Sequence, residues 1–315
     1  MNAETTAWWS DAPAGDHRQR LAPPVPLRLW HPAAEESEEF SCAYLDGRCA
    51  APHVHEEWQF AVAAEPSTIT LGAYRRYSAQ PNDVTVVQPY EVHTEGGVSG
   101  EPRRWLVLYV AEAVVDRVHQ DRARGVPRFG CPVISDPHSS QVLFELLQCS
   151  MSGNLDSSEF TVRVLEWLRH LFRNHALGMA TPPEGRRIRA PVERARSYLQ
   201  AHPTEPLPLA DLVDLLGVTT SHLVRSFSRS VGLPPKSYHA QIRLARARRL
   251  LAQGKPATWV AYECGFADQS HLSRRFREYY GLTPGAFQTY YKTQKLSIDI
   301  VQPSGAHNGL GFSAA

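Results

Sequence analysis

The sequence predicts two domains: an N-terminal all-β barrel with appended helices, and an all-α C-terminal domain with two helix-turn-helix subdomains. Three observations predict this division. Short apolar runs broken by turn residues occupy residues 27–110, a helical motif occurs twice near the C-terminus, and basic side chains are concentrated in the same C-terminal segment. The length of 315 residues fits two domains of ordinary size.

The β-strand prediction comes from segments rich in Val, Thr, Tyr and Trp that are interrupted by Gly, Pro and Asp. These segments are Trp58–Ala63, 68–74, Val84–Val87 and 105–110. Many short strands with turn signals between them favour a barrel or a sandwich. Residues 1–26 are polar and aperiodic, so we expect a flexible arm there.

Helical patterns replace the strand pattern after residue 110. Residues 111–122 predict a short helix, and 139–149 and 158–175 have helical periodicity. We expect these helices to pack on the barrel or to form a dimer seam, so that 27–177 is one domain. The remaining predicted boundaries are a Pro- and Gly-containing linker at 178–190, the helical domain at 191–292 and a tail at 293–315.

The most specific feature is an internal repeat with an offset of 49 residues. The segments SHLVRSFSRSVGLPP at 221–235 and SHLSRRFREYYGLTP at 270–284 share eight of fifteen residues. In each copy, Leu and Phe four residues apart predict a buried stripe, and Ser, His and Arg occupy the opposite face. A Gly then ends the helix, and a Pro follows it.

A shorter helix precedes each copy, at 209–216 and at 257–264. Thr219 or Thr220 can cap the next helix in the first copy, and Asp268 can do so in the second. Two helices joined by a tight Gly-containing turn form a helix-turn-helix unit, whose second helix enters the major groove of DNA. A repeated hairpin used only for packing is the alternative, and it explains none of the exposed matches.

Charge and composition narrow the functional classes. Residues 186–295 contain 18 Lys and Arg against 7 Asp and Glu, whereas residues 1–185 contain 15 against 24. A basic segment beside an acidic one is typical of nucleic-acid binding. No apolar run is long enough to span a membrane, no secretory signal begins the chain, and the five cysteines form no CxxC pair. We therefore expect a cytoplasmic protein with no membrane partner, no disulfide framework and no cysteine zinc site.

Residues 243–287 carry a family resemblance. The segment RLARARRLLAQGKPATWVAYECGFADQSHLSRRFREYYGLTPGAF is similar to the signature of the AraC/XylS family of transcriptional regulators. The similarity extends over about 191–290, and its departures, at Leu272 and at Phe287 and Gln288, fall on positions with a structural role. The matching residues are Arg243, Ala245, Leu250, Leu251, Ala261, Gly265, Phe266, Asp268, Ser270, His271, Ser273, Arg274, Phe276, Gly281, Thr283 and Pro284.

The resemblance implies a linker helix at 236–252 that joins the two helix-turn-helix subdomains. Their recognition helices would enter successive major grooves, about 34 Å apart. It also implies double-stranded DNA as a partner, a small-molecule effector in the barrel, and transcriptional activation. A homodimer formed through 158–175 and a contact with RNA polymerase complete the implied assembly.

The motif positions divide the predicted DNA-binding residues into two groups. Base-edge readers lie in both units, and Arg225 and Arg274 can each contact a guanine through two hydrogen bonds. The other basic residues are predicted to bind phosphate, which positions the protein without specifying sequence, and His222 and His271 can do this instead of reading bases. The predicted base readers are Ser221, His222, Val224, Arg225, Gln269, Ser270, His271, Ser273 and Arg274, and the predicted phosphate contacts are Arg229, Lys255, Arg275 and Arg277.

The N-terminal domain contains a separate polar constellation. His53 and His55 alternate, so both face the same way on a strand. Gln59 follows, and His93 supplies a third imidazole. This pattern resembles the two cupin motifs, with Gln59 in place of a Glu, Glu91 in place of a Gly and a second motif one residue short. The residues expected to contact the effector are His53, His55, Trp58, Gln59, Tyr90, His93 and Trp105. For Trp58 and Trp105, a place in the apolar core is an equal alternative.

Two alternatives remain open for this domain. His53, His55 and His93 can hold Zn, Fe or Mn, which would make the chain a metal-dependent cupin enzyme fused to a DNA-binding module. A barrel that serves only dimerisation is the second alternative. The sequence contains no Walker motif, nucleophile elbow or paired-carboxylate site, so we assign no catalytic residue, expect no enzyme and expect no cofactor.

Overall fold

The computed structural model describes residues 28–30, 39–47, 52–98, 103–119, 127–177, 190–205 and 209–300. The predicted arm at 1–26 lies outside these ranges. Residues 178–189 of the predicted linker and 301–315 of the predicted tail also lie outside them.

The N-terminal domain is built from two antiparallel sheets, as the strand pattern predicts. The larger sheet has the strand order β1-β2-β8-β3-β6-β10, the smaller has the order β5-β4-β7, and β9 pairs with β11. The strands are β1 (Arg28–Trp30), β2 (Phe40–Gly47), β3 (Trp58–Ala63), β4 (Ser67–Leu71), β5 (Arg75–Ala79), β6 (Val84–Val87), β7 (His93–Gly97), β8 (Arg103–Val110), β9 (Arg128–Phe129), β10 (Val133–Ile134) and β11 (Ala176–Leu177).

Three helices cover one face of the larger sheet: α1 (Glu112–Val118), α2 (Pro137–Met151) and α3 (Ser157–His175). Because side chains alternate along a strand, Phe60 of β3 points to these helices and its ring packs 5.3 Å from that of Trp167. The stripe predicted on α3, which includes Phe160 and Leu168, is fully buried in the same cluster. The appended helices therefore complete the core of the N-terminal domain.

The C-terminal domain is entirely helical within the described residues. Its helices are α4 (Ala190–Ala201), α5 (Leu209–Leu216), α6 (Thr220–Val231), α7 (Pro235–Ala252), α8 (Ala257–Glu263), α9 (Gln269–Tyr280) and α10 (Pro284–Ile300). Leu223 and Phe227 of α6 lie in one apolar core, and Leu272 and Phe276 of α9 lie in a second. The repeat thus forms two units, each with its own core, and α7 joins them.

The last helix extends beyond the predicted end of the helical domain. Helix α10 continues to Ile300, whereas the sequence pattern places the start of the tail at residue 293. The reason is that no Gly or Pro interrupts the chain between Ala286 and Pro303. Within the described residues, no helix is long and apolar enough to cross a membrane.

Candidate functional site

The first predicted recognition helix, α6, has both of its ends fixed by the sequence. The Thr219 hydroxyl accepts a hydrogen bond from the backbone N–H of His222 at 3.2 Å, and Gly232 ends the helix with a φ of 95°. The buried Leu223 and Phe227 set the rotation of the helix about its axis. As a result, His222 and Arg225 face solvent.

The second recognition helix, α9, repeats this arrangement. The Asp268 carboxylate accepts from the backbone N–H of His271 at 2.7 Å, and Gly281 ends the helix with a φ of 76°. The His271 ring packs edge-on against Phe266 at 5.4 Å, whereas His222 Nε2 lies 3.4 Å from the Ser226 hydroxyl. Arg274 is exposed, as Arg225 is on α6.

All twelve residues predicted to bind DNA on the recognition helices lie on α6 or α9, and none of them is buried. Arg275 pairs with Glu278 at 3.0 Å, one turn along the same helix. Lys255, the remaining predicted phosphate contact, is exposed in the turn between α7 and α8. The exposed helix residues are Ser221, His222, Arg225, Arg229, Gln269, Ser270, Arg274, Arg275 and Arg277, and the partly buried ones are Val224, His271 and Ser273.

A buried polar cluster lies between the two sheets of the N-terminal domain. Gln59 donates a hydrogen bond to Glu95 Oε2 at 3.0 Å, and Arg103 Nη2 lies 3.6 Å from the same oxygen. The Arg103 guanidinium stacks over the Trp105 ring at 4.2 Å. Glu95 Oε1 and Trp105 Nε1 are buried without a hydrogen-bond partner in the described part of the chain. Because unpaired buried polar groups are costly, such atoms favour a binding function here.

The three predicted histidines come together beside this cluster. The His93 ring lies 4.1 Å from that of His53 and 4.9 Å from that of His55. The Nδ1 atoms of His55 and His93 lie 2.6 and 3.0 Å from the carbonyl oxygens of Glu57 and Glu91. Since a carbonyl can only accept, each Nδ1 carries the proton and each Nε2 is an acceptor.

Their surroundings keep the imidazoles of His55 and His93 neutral. Burial, followed by the nearby charges of His53 and Arg248, lowers the pKa of His55 to about 3. Burial and the neighbouring His55 lower the pKa of His93 to about 3 as well. The Nε2 of His93 is buried and has no partner among the described residues. Within those ranges, no group of three or more His, Cys, Asp or Glu side chains has the geometry of a metal site.

Two of the predicted effector contacts lie elsewhere. Trp58 points to the opposite face of β3 from Gln59, because adjacent strand residues alternate. Its ring packs at 6.2 Å from those of Phe129 and Phe172, so it belongs to the core under α3. Tyr90 lies at the domain interface, where its carbonyl accepts a hydrogen bond from the Tyr238 hydroxyl at 3.0 Å.

Sequence reasoning missed Glu95 and Arg103. Each lies two positions from a predicted site residue, Glu95 after His93 and Arg103 before Trp105. The alternation of strand residues places both on the same face as those neighbours, so this signal was available.

The two domains also meet directly. Arg248 Nη2 lies 2.7 and 2.9 Å from the carboxylate oxygens of Glu57, and Arg249 Nε lies 2.7 Å from Glu56 Oε2. These pairs line a cleft of about 740 Å³ between the domains, to which Tyr109 also contributes. Side chains of the linker helix α7 are therefore tied to the segment that follows the histidines.

Two family models match this architecture. An AraC-like ligand-binding domain matches residues 41–168, and a helix-turn-helix domain matches residues 212–290. The chain belongs to the AraC family of transcriptional regulators. In this family member, the ligand-binding match runs from β2 into α3, and the helix-turn-helix match runs from α5 into α10.

Relatives and solved structures agree with this assignment. The chain is 27% identical over 202 residues to the HTH-type transcriptional regulator YbfI of Bacillus subtilis, a match that covers 63% of this chain and 72% of that protein. It is 33% identical over 89 residues to the transcriptional activator RhaS of Escherichia fergusonii, which covers 28% of this chain and 32% of that protein. Unsaturated fatty acid-bound ToxT of Vibrio cholerae shares the fold, with a TM-score of 0.51 at 13% identity over 82% of this chain and 97% of that one.

Proposed function

We propose that this AraC-family protein is a transcriptional activator that reads a two-part operator with α6 and α9 and responds to an effector held between its sheets. The observation that carries the proposal is the match between the two recognition helices. Each begins at a side-chain cap, ends at a left-handed Gly and exposes an Arg four residues after the first Ser of the repeat. The name of RhaS, an activator, supports the sign of regulation.

The DNA-binding residues have different proposed roles. Arg225 and Arg274 occupy equivalent positions and are proposed to contact guanine, with Ser221, His222, Val224, Gln269, Ser270, His271 and Ser273 as further base readers. Arg229, Lys255, Arg275 and Arg277 are proposed to contact phosphate. A base-reading Arg contributes about 1–3 kcal/mol of discrimination, whereas a phosphate contact weakens binding equally for all sequences when it is removed.

The proposed effector site is the buried polar cluster together with His53, His55 and His93. Among the described residues, its acceptors without a hydrogen-bond partner are His55 Nε2, His93 Nε2 and Glu95 Oε1, and Trp105 Nε1 is a donor without one. Arg103 balances the charge of Glu95, so the site suits a small molecule of low net charge that donates at least two hydrogen bonds. Trp58 is not part of this site, and Tyr90 is proposed to act at its interdomain edge.

The proposed assembly is a homodimer that contacts RNA polymerase at the promoter. Helix α3 buries its inner stripe, but Val162 on its outer face is 54% exposed. This outer face is the proposed seam with a second copy of the chain.

The first test is genome-wide occupancy of the wild-type protein and of the double variant Arg225→Ala/Arg274→Ala. The wild type should give a sharp two-part motif with centres about 10 base pairs apart, and the double variant should lose it. Arg128→Ala, which removes an exposed cation from β9 of the other domain, is the matched control and should keep the motif. Diffuse, salt-sensitive binding by the wild type would show that the proposal is wrong.

The effector site needs its own test. Genes beside the occupied promoters nominate metabolites, which are then titrated calorimetrically into the wild type and Glu95→Gln. The wild type should bind one of them, and the variant should bind it at least about fivefold more weakly, because a buried charged acceptor is lost. Equal affinity in both proteins would place the ligand elsewhere.

A further inference from the structure

A short path of contacts joins the proposed effector site to the linker helix. His55 Nδ1 donates to the Glu57 carbonyl at 2.6 Å, and the carboxylate of the same Glu57 receives two contacts from Arg248. Arg248 lies on α7, the helix that joins the two helix-turn-helix units. One residue, Glu57, therefore contacts both the histidine site and the element that sets the spacing of the recognition helices.

Tyr109 connects the same two ends a second time. Its ring lies 5.5 Å from the His55 ring, and the Arg248 guanidinium lies 5.8 Å from the Tyr109 ring. Tyr109 is also the partner of Gln59 in the β3–β8 ladder, and Gln59 binds Glu95. A ligand that displaces His55 would therefore disturb Tyr109 and Glu57, the two residues that contact Arg248.

The ion pair can behave as a switch because it is largely withdrawn from water. The side chains of Arg248 and Glu57 are only 21% and 20% exposed. A pair at this depth is weakly screened, and a break that leaves one charge without its partner is costly. The neighbouring pair of Glu56 and Arg249 adds a second contact of the same kind.

We propose that Glu57 and Arg248 are the positioning residues that couple the effector site to the spacing of α6 and α9. This inference rests on the proposed function and supplies the coupling route that it lacks. When a ligand engages His55, the 55–57 segment moves with the imidazole, the contact with Arg248 changes, and α7 shifts together with both units. Because coupling between two sites is reciprocal, operator DNA must alter the 52–60 segment through the same contact.

Reciprocity allows a test that does not need the effector. Hydrogen–deuterium exchange of the full chain is measured with and without the operator duplex found by occupancy mapping. In the wild type, the duplex should change exchange at 52–60 by about fivefold or more. In Arg248→Met, the exchange rates at 52–60 with and without the duplex should differ by less than about 1.5-fold. Arg246→Met is the matched control, because Arg246 is on the same helix but pairs with Glu263 of its own domain at 2.8 Å.

The outcomes separate this inference from the function on which it rests. A full DNA-dependent change in Arg248→Met, or no change in a wild type that binds its operator, overturns the coupling role and leaves DNA binding intact. Failure of the wild type to bind any sequence specifically overturns the proposed function instead. If Arg248→Met does not fold, the exchanged pair Glu57→Arg/Arg248→Glu replaces it. That double variant keeps an ion pair between the two positions, so operator DNA should still change hydrogen exchange at 52–60. A folded double variant in which DNA leaves this exchange unchanged overturns the inference.

Discussion

Replacing Gly232 with Ala tests whether the two domains pack as closely in solution as they do in the structure. Gly232 ends α6 with a φ of 95°, where an L side chain is strained. A Cβ at this position would also lie 2.7 Å from the carbonyl carbon of Gly72 and 2.8 Å from its oxygen. Gly72 belongs to the ligand-binding domain, in the turn after β4. The substitution therefore lowers the free energy of unfolding in two ways, by backbone strain at residue 232 and by a steric overlap between the domains.

The magnitudes follow from a matched position. Gly217 has a φ of 64°, and a Cβ added there would meet nothing within 4 Å, so Gly217→Ala carries only the left-handed backbone cost of about 1–2 kcal/mol. Gly232→Ala adds an overlap with backbone atoms, which cannot rotate away as a side chain can. Overpacking of this kind costs about 1–3 kcal/mol more. The sum for Gly232→Ala is therefore about 2–5 kcal/mol, unless the domains separate to relieve it.

Urea unfolding followed by circular dichroism gives the stability difference, and hydrogen exchange of the 67–79 hairpin reports domain separation. Gly232→Ala should be the less stable variant, or it should show faster exchange around Gly72, whereas Gly217→Ala should leave the hairpin unchanged. Equal destabilisation of the two variants, with no change in hairpin exchange, would refute the reasoning, because it would mean that Gly72 and Gly232 are not in contact in solution.

Helix capping, acid titration and core packing give three further tests. Asp268→Ala removes the cap of α9 and should lower the free energy of unfolding of the second unit by about 1 kcal/mol, measured by urea unfolding, with Glu278→Ala, away from the cap, as a neutral control. Because the pKa of His93 in the folded state is about 3, below its ordinary value of 6.5, its contribution to stability is fully present above pH 6.5 and is lost as the pH drops toward 3, by up to about 1.4 kcal/mol per pH unit. The pKa of His55 is also about 3, so His55 adds a loss of the same kind. His93→Asn should flatten this profile, and an unchanged acid profile in the variant would contradict the assignment. Trp58→Ala should cost about 3–5 kcal/mol by urea unfolding, because its ring fills the core under α3, and a loss below about 1 kcal/mol would contradict that placement.

The repeat units were predictable because their signals are local. Thr219 and Asp268 lie three residues before the N–H groups that they cap, and Gly232 and Gly281 stand where a helix must turn into the left-handed region. Leu and Phe at a spacing of four fix the buried face without reference to the rest of the chain. The helix residues outside this buried stripe form the exposed face, and they are the candidate DNA contacts.

The proposed effector site was only partly predictable because its residues are distant from one another in sequence. The alternation along β3 shows that Trp58 and Gln59 face opposite ways. Both faces of β3 are buried, so an apolar pattern in the sequence does not tell which face meets the second sheet. In the sequence, Glu95 is indistinguishable from a surface carboxylate, and only the fold shows its contacts with Arg103 and Gln59. Glu57 and Arg248 are separated by 191 residues, and no sequence pattern pairs them.

The division of charge along the chain acquires a second meaning at the domain interface. The excess of Lys and Arg in the DNA-binding domain first indicates affinity for phosphate, but Arg248 and Arg249 pair with Glu57 and Glu56 in the structure. A ligand that opens these pairs would move α7 and would also leave two more uncompensated cations on the helical domain. Since DNA affinity rises with the positive charge of the binding domain, release of the pairs and adjustment of the recognition helices would act in the same direction. Under the proposed coupling, the acidic domain would restrain the basic domain in the absence of effector.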